Sequence, residues 1–267
     1  MGEISSEAKN KIEVCVSPTL FPVYFDNQNC IVVVIDVFRA TTAICAAFED
    51  GVEAVIPVAT LEEAIDYKNK GYIVGAERNA EVIVGFDFGN SPLTFTEEKF
   101  KNKTIVLTTT NGTKAIDVAK NAQIVIVGSF YNLDAVCSFI EKEDKDVILL
   151  CAGWKDRFNL EDTLFAGAVV KQLTNNIRFN DLADSAIAAL NLYNTAKDDL
   201  FGFLSESSHR KRLSNLNLEE DIICCLTLNQ SKLVPVLTGN KLLVNRNQEN
   251  KVNNNQIIDA NKENVSF

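Results

Sequence analysis

Four runs of this 267-residue chain are apolar almost end to end: IVVVI at 31–35, TIVLT at 104–108, IVIVG at 124–128 and VILLC at 147–151. None alternates polar with apolar residues, so none suits a strand with one wet face. Each fits a central strand covered on both sides. Shorter β-branched runs stand at 12–16, 54–58, 72–75 and 233–237. Segments of helical period lie among them at 41–50, 61–70, 112–120, 132–142, 160–173 and 181–197.

This alternation predicts an α/β fold of three layers, α/β/α, around a largely parallel or mixed sheet. The last third reads helix after helix and then a hairpin about 238–240, which leaves room for a second, smaller α/β lobe. The folded unit is expected over 1–244. Residues 245–267 are Asn-rich and nearly free of apolar side chains. They cannot bury enough surface to offset chain entropy, so a solvated, flexible tail is expected there.

Composition narrows the function. Lys and Arg total 26 against 36 Asp and Glu, a net charge of −10, the wrong sign for a nucleic-acid binder. The chain has a single histidine, His209, which excludes a zinc site built on several imidazoles. A catalytic divalent ion would have to be held mainly by oxygen, as Mg²⁺ or Mn²⁺ is. No run approaches the ~18 apolar residues of a membrane helix, and the polar first 11 residues do not read as a secretory signal. Seven scattered cysteines without a CxxC pair predict buried free thiols in a reducing cytoplasm.

In an open α/β sheet, ligands bind outside the carboxyl ends of the strands. Four such ends carry small, hydroxyl, amide or charged residues: DVFRATT at 36–42, TTTNGT at 108–113, GSFYN at 128–132 and CAGWKDR at 151–157. Each precedes a predicted helix, so backbone N–H groups and hydroxyls gather on one rim as an anion site. Asp36, at the end of a buried run, needs a cation or hydrogen-bond donors. It is read as an Mg²⁺ ligand beside a phosphate-binding Arg39, or else as half of an Asp–Arg ion pair, with Thr41 and Thr42 opening the next helix. The 108–113 loop lacks a Walker lysine, which speaks against nucleotide binding. CAGWKDR fits the Cys-x₅-Arg pattern of cysteine phosphatases, but Leu150 stands where a histidine is wanted and Phe158 follows the arginine. Arg157 is read as an anion ligand, with Glu161 and Asp162 as metal ligands or helix caps. GAERNA at 75–80, GFDFGNSP at 85–92 and the basic SESSHRKRL at 205–213 are the remaining dense segments.

Taken in order, VVVIDVFRATT, GAERNA, GFDFGNSPL, IVLTTTNGTKA, VGSFYN, CAGWKDRFNLEDTLFAG, SSHRKRL and LEEDIICCL resemble the 2-phosphosulfolactate phosphatase family. They are collinear over about residues 12 to 237. The resemblance implies Mg²⁺-dependent hydrolysis of 2-phospho-3-sulfolactate to 3-sulfolactate and phosphate, a step toward coenzyme M in archaea. The attacking group is read as water or Asp36 itself, with water favoured because Phe38 stands where an aspartyl-phosphate motif has its second acid. On that reading the catalytic residues are Asp36, Arg39 and Arg157. The metal ligands come from Asp36, Asp87, Glu161 and Asp162. The substrate-binding set is Thr41, Thr42, Arg78, Asn90, Thr109, Thr110, Asn111, Gly112, Thr113, Ser129, Gly153, His209 and Arg212. The expected partner is a small phosphorylated anion, with neither nucleic acid nor membrane, and a homodimer is admitted. Two other readings stay open: a thiol-dependent phosphatase using Cys151, and a phosphometabolite sensor without catalysis.

Overall fold

The protein is described by a computed structural model over residues 10–26 and 28–246. The strands are β1 (Lys11–Cys15), β2 (Cys30–Ile35), β3 (Ala54–Pro57), β4 (Ile73–Arg78), β5 (Glu81–Val82) and β6 (Thr104–Thr108), then β7 (Ile124–Gly128), β8 (Asp146–Cys151), β9 (Asp181–Leu182), β10 (Val236–Thr238) and β11 (Lys241–Leu243). The helices are α1 (Phe21–Tyr24), α2 (Ala40–Glu49), α3 (Leu61–Asn69), α4 (Gly112–Ala119) and α5 (Leu133–Glu143), then α6 (Leu160–Leu173), α7 (Asp184–Ala196), α8 (Leu200–Phe203), α9 (Ser208–Asn215) and α10 (Glu219–Leu226). Among the described residues no helix is long and apolar enough to cross a membrane.

The strands make one mixed sheet in the order β5-β4-β6-β3-β11-β10-β7-β2-β8-β1-β9. β7, β2, β8, β1 and β9 run parallel, as do β3, β6 and β4. The β10–β11 hairpin is wedged between the two blocks through antiparallel pairs. Its two-residue loop puts Gly239 at φ +62°, where a tight hairpin favours glycine. Sheet twist accumulates by about 20–25° per pair. Through the hairpin the two blocks run antiparallel to each other, yet residues at the ends of β2 and β8 from one block and of β4 and β6 from the other line a common hollow.

The continuous apolar runs are continuous because each strand feeds two cores. Ile31, Val33 and Ile35 of β2 join Val147 and Leu149 of β8 on one face, under α5, α6 and α7. Val32 and Val34 join Ile148 and Leu150 on the other, under α2 and α4. Period-2 alternation thus becomes a separation of two apolar layers, and the expected three-layer architecture is observed. At Gly167 an added Cβ would lie 2.1 Å from the Ala189 carbonyl oxygen, so only glycine lets α7 lie this close to α6.

Some element boundaries differ from the sequence expectation. The run expected at 233–237 pairs as a strand only from Val236, because Pro235 has no N–H to give a ladder. The Leu233 carbonyl is taken by the Asn132 amide, 3.1 Å away. The helix expected from 181 starts at Asp184, since Asp181 and Leu182 pair with β1. The Asn-rich tail lies outside the described residues from 247 on. At its start Arg246 is anchored, its Nη2 donating to the carbonyls of Phe48 and Val52.

Candidate active site

Asp36, Phe38, Arg39, Glu77, Asn79, Ala80, Asn90, Thr109, Thr110, Asn111, Trp154, Lys155, His209, Arg212 and Leu213 line one hollow at the strand ends. The hollow draws on the ends of β2, β4, β6 and β8 and on α9, which covers it from the carboxyl-terminal side.

Asp36 follows β2 directly. Its N–H donates to Thr41 Oγ1 at 3.0 Å, and the Thr41 N–H returns a bond to the Asp36 carbonyl. Thr42 Oγ1 donates to the Val37 carbonyl at 3.0 Å. Thr41 and Thr42, expected to touch substrate, instead lock the 36–42 turn and are fully buried. A Cβ on Gly112 would lie 2.8 Å from Asp36 Oδ2 and 2.5 Å from Ala40 Cβ, so glycine is required where α4 meets α2. Burial pushes the Asp36 carboxyl up to about 7; His209 pulls against that shift while Glu77 and Glu161 add to it. Thr109 and Thr113 bond each other reciprocally at 3.1 and 3.2 Å; Thr109, Thr110 and Asn111 line the hollow, and Thr113 does not.

Arg39 is buried and pairs with Asp221 of α10, Nη1 to Oδ2 at 2.5 Å. Its Nη2 donates to the Ala80 carbonyl at 3.1 Å. Ser91 Oγ donates to the other Asp221 oxygen at 2.7 Å. The expected Asp36–Arg39 ion pair is not formed; Arg39 pairs instead with an acid distant in sequence.

His209 is held on three sides. Its Nδ1 lies 2.7 Å from Glu161 Oε1. Its ring stacks on Trp154 at 5.7 Å and 15°, and meets Phe38 edge-on at 5.9 Å. Asn159 Nδ2 also donates to Glu161 Oε1, at 3.0 Å. Glu161 is fully buried and its Oε2 has no hydrogen-bond partner among the described residues.

The structure separates the other expected site residues. Asp162 accepts the Val37 and Gly153 N–H groups at 2.8 and 3.1 Å, tying the β2 and β8 turns together. Gly153 is thus used through its backbone, and Asp162 is a strut. Asp87 lies away from the hollow, bonded to Lys68 and the Val74 N–H. Arg78 turns to the Glu77 carbonyl and Thr108 Oγ1. Arg157 is exposed and closes a turn with Trp154. Ser129 is buried beneath the sheet end and does not line the hollow. Cys151 is fully buried, and burial pushes its thiol well up, the reverse of what a thiolate nucleophile needs. With Arg157 outside, the Cys-x₅-Arg reading loses both its parts.

Sequence reading missed Glu77, Trp154, Lys155 and Asp221 as members of the site. Asp221 had a usable signal: an acid beginning an apolar helical run, DIICCL, must find a partner if it is buried.

Among the described residues no three His, Cys, Asp or Glu side chains gather as a complete metal cage. Mg²⁺ commonly takes only one or two protein ligands beside water and substrate oxygens. Asp36 and Asn90, whose buried Oδ1 has no hydrogen-bond partner, both line the hollow and are oxygen donors of that kind.

Fold and site together define an α/β protein with an acid-floored, cation-rimmed hollow built for a small anion. The chain belongs to the 2-phosphosulpholactate phosphatase family, whose sequence profile matches residues 15–240. It is 46% identical over 207 residues to a Thermotoga maritima protein named probable 2-phosphosulfolactate phosphatase, covering 78% of this chain and 88% of that one. Proteins of the same name from Caldanaerobacter subterraneus (40% over 210 residues, 77% and 87% covered) and Clostridium acetobutylicum (37% over 220, 81% and 93%) are also similar.

Proposed function

We propose that this protein hydrolyses 2-phospho-3-sulfolactate, or a closely related phosphorylated hydroxy acid, to the free hydroxy acid and phosphate. The observation that carries this reading is the shared hollow of Asp36, Thr110, Asn111 and the Glu161-held His209, in a chain whose relatives bear that substrate in their names. The seven unpaired cysteines suit a reducing cytoplasm.

Mg²⁺ would be held by Asp36 and Asn90, with water and substrate completing its shell, and would supply neutralisation of the phosphoryl oxygens. Thr110, Asn111 and the N–H groups opening α4 bind and orient the transferring group against an attacking water. Arg39, half-neutralised by Asp221, adds donors toward the same oxygens. With Nδ1–H given to Glu161, the imidazolium's Nε2–H is the proton delivered to the leaving alkoxide oxygen, and the proton lost by the attacking water restores it. Trp154 and Phe38 hold the imidazole between them.

The test is phosphate release from 2-phospho-3-sulfolactate and from other 2-phosphocarboxylates, with Mg²⁺ and with EDTA. Release that needs Mg²⁺ is expected. No release from any of them, or equal release in EDTA, overturns the reading.

A further inference from the structure

We propose that Lys155 and Arg212, set against the Trp154 ring, form the subsite for the sulfonate, the substrate's non-reacting strong-acid group. This rests on the phosphatase reading above and adds the determinant of substrate choice.

Three cationic side chains besides His209 line the hollow: Arg39, Lys155 and Arg212. Arg39 is charge-compensated by Asp221 at 2.5 Å, and on the phosphatase reading its remaining donors go to the phosphoryl group. Neither Lys155 nor Arg212 has a carboxylate within salt-bridge distance among the described residues. Lys155 Nζ lies 5.0 Å from the Trp154 ring centroid and Arg212 Cζ 5.8 Å from it. Trp154 is itself fixed by stacking on His209. One indole thus sets the position of both uncompensated cations relative to the imidazole.

The turn that carries Lys155 is built against local preference. Trp154 and Arg157 exchange both backbone hydrogen bonds, at 2.9 and 3.1 Å. Between them Lys155 and Asp156 sit at φ +53° and +59°. A turn with both central residues left-handed favours Asn-Gly, and side chains there are kept only when the surroundings hold them. Here Lys114 Nζ bonds Asp156 Oδ1 at 2.6 Å, and Ser17 Oγ donates to the Asp156 carbonyl at 3.0 Å. The chain accepts a strained turn and keeps a lysine in it.

The hollow is therefore polarised. Asp36 and Glu77 stand at its strand-end floor, and the free cations stand at the Trp154 rim. In a protein of net charge −10, two unpaired cations at one rim suit a ligand group that is ionised at every pH and offers three oxygens. An arginine fork and an ammonium together supply enough donors for those oxygens.

The experiment compares kcat/KM for 2-phospho-3-sulfolactate with that for 2-phospholactate, which lacks the sulfonate. In Arg212→Ala the ratio of the two is expected to fall by about 10–100-fold, mainly through KM, and in Lys155→Ala by about tenfold, as for a lost charged hydrogen bond. Arg212→Lys should recover part of the ratio by keeping the charge without the fork. Calorimetric binding of 3-sulfolactate, compared with lactate, reads the subsite without turnover and should weaken in the same order. An unchanged ratio with unchanged sulfolactate binding overturns the subsite. A wild-type protein that binds sulfolactate through Arg212 yet releases no phosphate would retain the subsite and overturn the phosphatase reading.

Discussion

His209 and Glu161 are buried together, Nδ1 2.7 Å from Oε1, at positions 48 residues apart in the chain. Glu161 comes from the first turn of α6 and His209 from the first turn of α9. A carboxylate that accepts the hydrogen bond from Nδ1–H fixes the ring plane and steadies the imidazolium, as second partners of functional histidines do. His209→Ala is expected to lower kcat by about 10²–10⁴-fold, the range of a lost general acid. Glu161→Gln keeps the shape but not the charge and should cost about 10–100-fold. Steady-state kinetics on folded variants reads both. His209→Ala activity within threefold of wild type would remove the proton-donor role.

Asp36 gives a pH dependence of stability with an unusual sign. Its carboxyl is pushed up by burial to about 7 from an ordinary 3.8. Between those values the native state holds a proton that the unfolded chain has lost. Stability of the metal-free protein therefore falls as pH rises through that window and stays low above it. Asp36→Asn removes the ionisation, so at pH 8 the variant should be more stable by on the order of 1–4 kcal/mol, about three pK units at most. Activity should fall at least tenfold at the same time. Thermal melts at pH 5 and pH 8 check this; identical pH dependence in both proteins would contradict it.

Divalent metal should reverse that penalty. An ion that binds the native state alone adds RT ln(1 + [L]/Kd) of stability. Millimolar Mg²⁺ at pH 8 is therefore expected to raise the wild-type melting temperature, and EDTA to return it. Asp36→Asn should respond to neither. A wild-type melt that ignores Mg²⁺ would sever Asp36 from any metal role.

Much of the fold was legible because its strongest signal is local. A run such as IVVVI has one way to bury every side chain, and β2 does so by sending Ile31, Val33 and Ile35 to one core and Val32 and Val34 to the other. The hairpin about Gly239 was equally local. Its insertion between β7 and β3 was not, because a three-residue strand carries no record of which strands it will separate. The site divides the same way. Asp36, Thr110 and Asn111 were readable as strand-end chemistry, and the unusual residue types of CAGWKDR marked a special turn. Which of them face the hollow depends on turn geometry: Arg157 closes the turn from outside, while Trp154 and Lys155 line the hollow. Asp162 looked like Glu161 in sequence, yet two backbone N–H groups claim it. Spacing alone does not tell such neighbours apart.

The Arg39–Asp221 pair yields the last test. Both side chains are about 5% exposed or less, so neither charge can be left alone cheaply. Removing one partner of a buried pair typically costs about 3–5 kcal/mol, whereas replacing both by apolar groups of similar volume is often close to neutral. Arg39→Met and Asp221→Leu should therefore each destabilise strongly, and the double variant should recover most of the loss; a double-mutant cycle in urea measures the coupling. Activity should part from stability here. The double variant lacks the Arg39 donors at the hollow and is expected to stay at least tenfold below wild type even when refolded stability is restored. Asp221→Asn keeps Arg39 while lifting its neutralisation, so inorganic phosphate should inhibit that variant more tightly than wild type. If the double variant regained full activity with its stability, Arg39 would be a fastener for α10 and not a participant in phosphate chemistry.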